Sequence, residues 1–187
     1  MGAVNVVKKV FFLLVALAGF LFCFYLGGYR INYTGSLPVG IWKLQPCRNP
    51  ERGMYVVVSM KWDVLGIRRQ YHRPELKLLK VVGGLPGDVV TCIEKQVYVN
   101  NAVLDNVVLQ EKDSFGRLMP KFQYPYVVPK DCYFLCAPVL KSWDSRYFGA
   151  VSRREILYRA EPVLTFPAIK EKKQNEKQRE LSLILNV

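Results

Sequence analysis

The sequence predicts a mainly β domain behind a single N-terminal apolar helix, within 187 residues. Residues 10–29 carry no charge over 20 positions, which is the length of a membrane-spanning helix. The chain that follows has short runs rich in Val, Ile, Leu, Tyr and Phe, separated by Gly, Pro and Asn, as is typical of strands joined by turns. From about residue 30 to 167 the chain is long enough to bury a core of its own.

The apolar run at 10–29 is expected to be retained as a signal anchor, preceded by a short head at 1–9. The apolar region of a removable signal peptide usually spans about 7–15 residues and ends in a small-residue cleavage site. This run instead ends in YLGGY, whose tyrosines suit a membrane interface. Charge does not fix the orientation, because Lys8 and Lys9 precede the run and three basic residues follow it closely.

The apolar runs behind the anchor define the expected strands. Single strands are predicted at Ile41–Leu44, Met54–Ser59, Leu76–Val82, Asp131–Ala137 and Ile156–Phe166, the last as one strand or two. A hairpin is expected to join 88–93 to 96–100 around Glu94-Lys95, with a further turn at Asn100-Asn101. Residues 103–119 are predicted to be loop-rich, and 123–129 to be extended.

A net charge of +12 favours anionic neighbours such as lipid head groups, nucleic acid or an acidic partner. No zinc-finger spacing, repeat or phosphate-binding glycine loop narrows this choice. No nucleic-acid partner, cofactor or metal is expected. His72 is the only histidine, which excludes a multi-histidine metal site. The basic stretch 61–73 is interpreted as a solvated loop, or alternatively as a contact for membrane or substrate. Residues 168–187 form a charged tail.

Five cysteines offer no C-x-x-C pair, so a redox or zinc site is not indicated. Cys23 lies in the apolar run. The other four (Cys47, Cys92, Cys132 and Cys136) could form up to two disulfides in an oxidising compartment. Cys132 and Cys136 would be poor partners for one another, since a strand would hold them roughly 13 Å apart.

Ser36 lies in a tight loop directly after the anchor, in Thr34-Gly35-Ser36-Leu37-Pro38-Val39-Gly40. Gly35 allows the backbone next to Ser36 to take φ > 0 or to approach another group closely, and Pro38 fixes φ two residues on. An ordinary surface turn would have the same composition. The loop alone therefore leaves both interpretations open.

Lys80 is predicted to share a strand face with Leu76, Leu78 and Val82, just before Gly83-Gly84-Leu85-Pro86-Gly87-Asp88. Lysine is almost never fully buried unless it is paired or used. The side chain could reach solvent along the apolar surface. Alternatively, burial could keep its amine neutral, and a neutral amine could act as the base that a serine nucleophile needs.

A third motif, Ser142-x-Asp144-Ser145-Arg146-Tyr147-Phe148-Gly149, completes a set. Together with the Ser36 loop and the Lys80 segment, it resembles the signal peptidase I family, and most closely the TraF-type peptidases of conjugative plasmid transfer. The resemblance covers roughly residues 8–166. The order of the three motifs behind an anchor is more specific than any one of them.

The resemblance implies a signal-peptidase-like antiparallel β domain and a role for each matched residue. Ser36 would be the nucleophile and Lys80 the general base. Thr34 and the backbone N–H of Ser36 would form the oxyanion hole. Ser142 would orient the lysine, and Asp144 with Arg146 would form a supporting ion pair.

The resemblance also implies a place in the cell and a substrate class. It predicts a single-pass protein of the bacterial inner membrane, with its N-terminus in the cytoplasm and its peptidase domain at 30–167 in the periplasm, docked on the lipid bilayer. The substrate would be an exported precursor such as a conjugative pilin. TraF-type members cleave such precursors, and some circularise the pilin, so hydrolysis and cyclisation both stay open.

Differences from the housekeeping enzymes support the TraF-type assignment. Lys80 is followed by Val81 rather than Arg, and Leu37-Pro38-Val39-Gly40 replaces the usual M-x-P-T after the serine. Pro138-Val139-Leu140-Lys141 precedes Ser142 where many members have G-D-N-R-x-x. Two alternatives remain: a non-enzymatic subunit of a transfer or secretion apparatus, and a LexA-like self-cleaving regulator.

Overall fold

The structure is a computed structural model that describes residues 2–61, 75–113 and 115–167. His72, most of the basic stretch at 61–73 and the tail at 168–187 lie outside these ranges. In chain order the elements are α1 (Gly2–Leu26), β1 (Tyr29–Asn32), β2 (Val39–Pro46), β3 (Tyr55–Lys61), β4 (Glu75–Gly84), β5 (Val89–Ile93), β6 (Gln96–Val99), β7 (Ala102–Val108), β8 (Tyr126–Val127), β9 (Cys132–Cys136), α2 (Ser145–Phe148), β10 (Val151–Ser152), the 3-10 turn η1 (Arg153–Glu155) and β11 (Ile156–Phe166).

Helix α1 is long and apolar enough to cross a membrane. The 22 residues Asn5–Leu26 contain an 18-residue window with a mean hydropathy of 2.3, and none of that window is buried against the rest of the protein. At about 1.5 Å per residue they span about 33 Å, close to the thickness of a hydrocarbon core. The helix begins at Gly2, before the apolar run at 10–29. It ends at Leu26, because Gly27 and Gly28 turn the chain and Tyr29 starts β1.

Among the described residues two antiparallel sheets follow, so the mainly β fold class is confirmed. The larger sheet has the order β1-β2-β11-β3-β4-β9-β10, and the smaller one β7-β6-β5-β8. The last strand, β11, runs between β2 and β3 and pairs with both. The predicted strands at 41–44, 54–59, 76–82, 131–137 and 156–166 correspond to β2, β3, β4, β9 and β11, with β11 a single strand.

The predicted hairpin and the turn after it are confirmed. Glu94 and Lys95 have φ of 48° and 72°, and Asn100 and Asn101 have φ of 49° and 66°, as in tight hairpin turns. The prediction of a loop-rich 103–119 is wrong for its first part, where β7 pairs with β6. Asn106, at φ 58°, and a register shift disturb the alternation that would have revealed this strand.

Gly40 allows β2 to approach β11 closely at the end of the Ser36 loop. Its φ is +142°, and a Cβ atom added there would lie 2.1 Å from the carbonyl oxygen of Leu164. Only glycine fits this position without moving the neighbouring strand. The pairing therefore fixes where the loop re-enters the sheet.

Candidate active site

The Ser36 loop connects β1 to β2 and is held at both ends. The two strands pair antiparallel with Asn32 opposite Gly40. Leu37, which is 2% exposed, packs with Ala137 and Val139 in a buried cluster. The indole N–H of Trp42 donates to the carbonyl oxygen of Pro38 at 3.1 Å. The loop is thus a fixed connection rather than a loose surface turn.

Asn32 binds the loop from inside. Its amide nitrogen donates to the carbonyl oxygens of Pro38, Leu37 and Thr34, at 3.0, 3.2 and 3.4 Å. Its side-chain oxygen accepts the backbone N–H of Thr34 at 3.1 Å and the Thr34 hydroxyl at 2.6 Å. The sequence analysis missed this residue. The only signal in the sequence was its position just before the loop, where asparagine is common because its side chain often bonds to the neighbouring backbone of a turn.

Ser36 is half-buried, and its hydroxyl and backbone N–H have no hydrogen-bond partner among the described residues. The nearby hydroxyl of Thr34 is occupied by Asn32. Ser36 therefore has both a free hydroxyl and a free N–H, while the Thr34 hydroxyl would have to turn away from Asn32 before it could contact a ligand.

Lys80 is buried in β4, with 3% of its surface exposed. Leu76, Leu78 and Val82 pack in the same buried cluster, as strand alternation predicts. The Lys80 ammonium nitrogen lies 2.8 Å from the hydroxyl oxygen of Ser142, to which it donates. The structure thus joins two of the predicted site residues by a buried hydrogen bond.

Burial is the main influence on the charge of Lys80. It lowers the pKa of the amine below the ordinary value for lysine, because an apolar environment disfavours the ammonium ion. The carboxylate of Asp144 raises this pKa, and the guanidinium of Arg146 lowers it, both with smaller effect than burial. The net direction favours a neutral amine, which is the form that can accept a proton.

Asp144 and Arg146 form a fully buried ion pair behind Ser142, at 2.7 Å. Asp144 also accepts the backbone N–H of Ala137 at 3.1 Å, while the guanidinium of Arg146 donates to the carbonyl oxygens of Val108 and Val139, each at 3.0 Å. The pair thus ties β9 and the loop at 137–142 to β7. It does not line the cavity described next.

A cavity of about 540 Å³ joins the Ser36 loop to Lys80. Thr34, Ser36 and Lys80 all line it, as does Tyr25 near the end of α1. Pairing of β4 with β9 begins only at Val81, so among the described strands residues 75–80 pair on the β3 side alone. An extended peptide could therefore reach a free sheet edge inside the cavity.

All five cysteines are free, so none of the disulfides left open by the sequence is present. Cys136 is buried near Lys80, and burial raises the pKa of its thiol to about 12. A thiol in this state is protonated and a poor nucleophile at neutral pH. The Ser36 hydroxyl, which lines the cavity and has no partner among the described residues, is a better candidate for a nucleophile than this thiol.

Comparison with known proteins gives consistent matches over most of the chain. The signal peptidase family Peptidase S26 matches residues 4–165. The conjugal transfer protein TraF of Agrobacterium fabrum is 34% identical over 151 residues, which cover 75% of this chain and 85% of that protein. The plasmid transfer protein TraF of Escherichia coli is 33% identical over 162 residues, covering 76% and 86%.

A solved structure of signal peptidase I from Enterococcus faecalis also aligns, with 22% identity and a TM-score of 0.37, covering 63% of this chain and 98% of that one. The family and the TraF relatives agree with the resemblance carried by the three motifs. The chain belongs to the Peptidase S26 family of signal peptidases.

Proposed function

We propose that the chain is a membrane-anchored serine endopeptidase in which Ser36 is the nucleophile and Lys80 the general base. The observation that carries this proposal is a buried lysine, hydrogen-bonded to Ser142, in the cavity that the free Ser36 hydroxyl also lines. Serine–lysine pairs are a known variant of the activated serine.

The neutral amine is the form that the mechanism requires. At an ordinary pKa of about 10.4, only about one lysine in 2,500 is neutral at pH 7. Burial of Lys80 increases that fraction by lowering its pKa. The amine then removes the Ser36 proton as the hydroxyl oxygen attacks the scissile carbonyl, and returns a proton to the departing amine.

The supporting residues follow from the contacts. Ser142 accepts a hydrogen bond from Lys80 and so fixes the direction of its amine. The free backbone N–H of Ser36 would stabilise the tetrahedral oxyanion, together with the Thr34 hydroxyl once it turns from Asn32. Asp144 and Arg146 hold the loop that carries Ser142, as a structural pair.

The substrate would be a precursor protein of a conjugation system, such as a pilin. Two relatives carry the names conjugal transfer protein and plasmid transfer protein. The acyl-enzyme could be resolved by water, giving a linear product, or by an amine of the same chain, giving a circle. Co-expression with a pilin precursor separates these outcomes by mass, because the linear product is one water heavier.

The decisive experiment uses the full chain in uncharged detergent micelles. Ser36→Ala and Lys80→Met should each abolish precursor cleavage while keeping the fold, measured by circular dichroism. Lys121→Met, at an exposed position outside the cavity, is the matched control and should retain activity. A serine-reactive acylating inhibitor should label the parent chain but not Ser36→Ala.

Two results would contradict the proposal. A folded Lys80→Met chain with full activity would remove the lysine from the mechanism. A parent chain that neither cleaves the precursor nor acquires the label at Ser36 would favour a non-enzymatic subunit of the transfer apparatus. Cleavage of the purified chain by itself, without any precursor, would favour the self-cleaving regulator.

A further inference from the structure

The cavity is lined by positively charged side chains. Its lining contains three basic side chains besides Lys80, namely Arg30, Lys77 and Lys141, and no Asp or Glu among the described residues. Arg30 is engaged at the end of α1, where it donates to the carbonyl oxygens of Tyr25 and Tyr29 at 2.9 and 2.7 Å. Its guanidinium also covers the Tyr25 ring at 3.8 Å.

Lys77 and Lys141 differ from Arg30 because neither has a partner among the described residues. Both are exposed. Lys77 lies on β4, three residues before Lys80, within the stretch that has no strand on its β9 side. Lys141 directly precedes Ser142, which binds Lys80. The two free ammonium groups therefore line the same cavity as the predicted general base, from separate elements.

We propose that Lys77 and Lys141 form a subsite for an acidic side chain of the substrate, close to the scissile bond. This inference rests on the proposed peptidase function, and it specifies the charge of one substrate side chain near the scissile bond. A peptide lying along the free edge of β4 would place its side chains opposite those of the strand, where opposite charges attract. Because the described part of the lining has no carboxylate, an acidic substrate residue can pair with these lysines, whereas a basic one meets uncompensated repulsion.

A peptide is favoured over an anionic membrane as the partner because of where the lysines lie. Both line the cavity that contains Ser36 and Lys80. Arg30 lies beside the helix end, where head groups would gather, and its guanidinium already has protein partners. Contact with anionic lipid is the competing outcome of the experiment.

The probes are internally quenched decapeptides with alanine on both sides of the central bond. Each peptide carries a single Glu, Gln or Lys at one of four positions, namely the two residues before or the two residues after the alanine pair. A set consists of the three peptides that share one position. Cleavage by the full chain in uncharged micelles should be faster for at least one Glu peptide than for its Gln counterpart, by about twofold to fivefold for each ion pair formed. Raising the salt concentration should reduce that ratio.

Variants assign the preference to the two lysines. In Lys77→Gln/Lys141→Gln, the ratio of Glu to Gln cleavage should fall close to one. The matched control Lys121→Gln/Lys130→Gln removes the same charge from exposed positions outside the cavity and should keep the parent ratio. Two results would overturn the subsite. One is a parent chain that cleaves every Glu peptide no faster than its Gln counterpart, and the other is an equal fall of the Glu-to-Gln ratio in both double variants.

A binding measurement separates this proposal from the catalytic one. Fluorescence anisotropy with labelled Glu, Gln and Lys peptides and the Ser36→Ala chain reports preference without cleavage. The Ser36→Ala chain should bind a Glu peptide more tightly than its Gln counterpart. Loss of this difference when Lys77→Gln/Lys141→Gln is added to Ser36→Ala would support the subsite even if no peptide were cleaved. Weaker binding of that double variant to phosphatidylglycerol vesicles, with no change in peptide preference, would assign the lysines to lipid and overturn the proposal.

Discussion

Asn32 shows how a single polar side chain can define a loop. It forms five hydrogen bonds with the segment from Thr34 to Pro38, in which the proposed nucleophile lies. Proline restricts φ at one position of such a loop, but it does not fix the direction of the loop's carbonyls. Asn32 contacts three of those carbonyls and so sets the position of Ser36 between them.

We expect Asn32→Asp to lower kcat by about 10–100-fold with a smaller change in KM, since a displacement of about 1 Å at a reacting group can cost that much. The aspartate keeps the shape of the side chain, but it loses three donated hydrogen bonds and places a carboxylate against carbonyl oxygens. Steady-state cleavage and the rate of labelling by a serine-reactive inhibitor measure the effect.

Asn100→Ala is the control for that variant. It removes two side-chain hydrogen bonds, to Asp88 and Val89, outside the cavity. It should lower the unfolding free energy without slowing the labelling of Ser36. If both variants reduced labelling to the same degree, Asn32 would be only a structural residue.

Lys80 should make the protein less stable than a chain with an apolar side chain in its place. Its pKa is lowered by burial, whereas the unfolded chain has the ordinary value of about 10.4. Between these two values the unfolded state binds one more proton, so stability of the parent rises with pH through that window. Each tenfold difference in proton affinity corresponds to about 1.4 kcal/mol.

Lys80→Met should therefore be more stable than the parent chain below the folded-state pKa of Lys80. The advantage should shrink as the pH rises toward about 10.4. Urea unfolding in uncharged micelles across this range measures it, with the exposed Lys121→Met as the baseline for the substitution. A stability difference that stayed constant with pH would show that the buried amine is not the cause.

At the scale of elements, the strands were predictable where their residues are β-branched and apolar. The Lys80 face was predictable for the same reason, since alternation along β4 places Leu78 and Val82 beside it. The partners of each strand were not predictable, because periodicity does not report sheet order. The position of β11 between β2 and β3, which brings Leu164 against Gly40, is visible only in the structure.

The motif 142–146 was predicted from resemblance, but what each residue contacts was not. Ser142 and Asp144 both lie in the turn between β9 and α2. The partner of Ser142 is Lys80 on β4, whereas Asp144 pairs with Arg146 in α2. The guanidinium of Arg146 reaches Val108 on β7, a strand that the sequence did not reveal. Contacts between distant segments of this kind depend on the sheet order.

Removing only one charge of the Asp144–Arg146 pair should strongly destabilise the fold. Asp144→Asn leaves the Arg146 charge buried without its counter-ion, which should lower the unfolding free energy by about 3–5 kcal/mol. The pair Lys95–Glu111 has a similar separation of 2.7 Å but is mostly exposed. Glu111→Gln should therefore lower the unfolding free energy far less than Asp144→Asn does.

Chemical denaturation in uncharged micelles compares these two variants directly. The double variant Asp144→Leu/Arg146→Met, which removes both charges, should recover part of the loss caused by Asp144→Asn, because no unpaired charge is left in the core. Similar destabilisation by Asp144→Asn and Glu111→Gln would mean that burial of the pair has no energetic consequence.

At the scale of the whole molecule, the helix and the cavity are continuous. Tyr25 near the end of α1 lines the cavity, and only Gly27 and Gly28 separate the helix from β1. A precursor whose own apolar segment lies in the bilayer could thus present a bond at the membrane surface. The anchor length was predictable from composition, whereas the charges on its two sides leave the orientation open.

The proposed orientation, with the N-terminus in the cytoplasm and the β domain in the periplasm, can be measured in spheroplasts. Lys121→Cys adds an exposed thiol to the β domain, and Lys9→Cys adds one near the start of α1. A membrane-impermeant maleimide should label Lys121→Cys in intact spheroplasts, and Lys9→Cys only after permeabilisation. The parent chain, with its five free cysteines, gives the background. The reverse labelling pattern would place the cavity in the cytoplasm, where an exported precursor could not meet it after translocation.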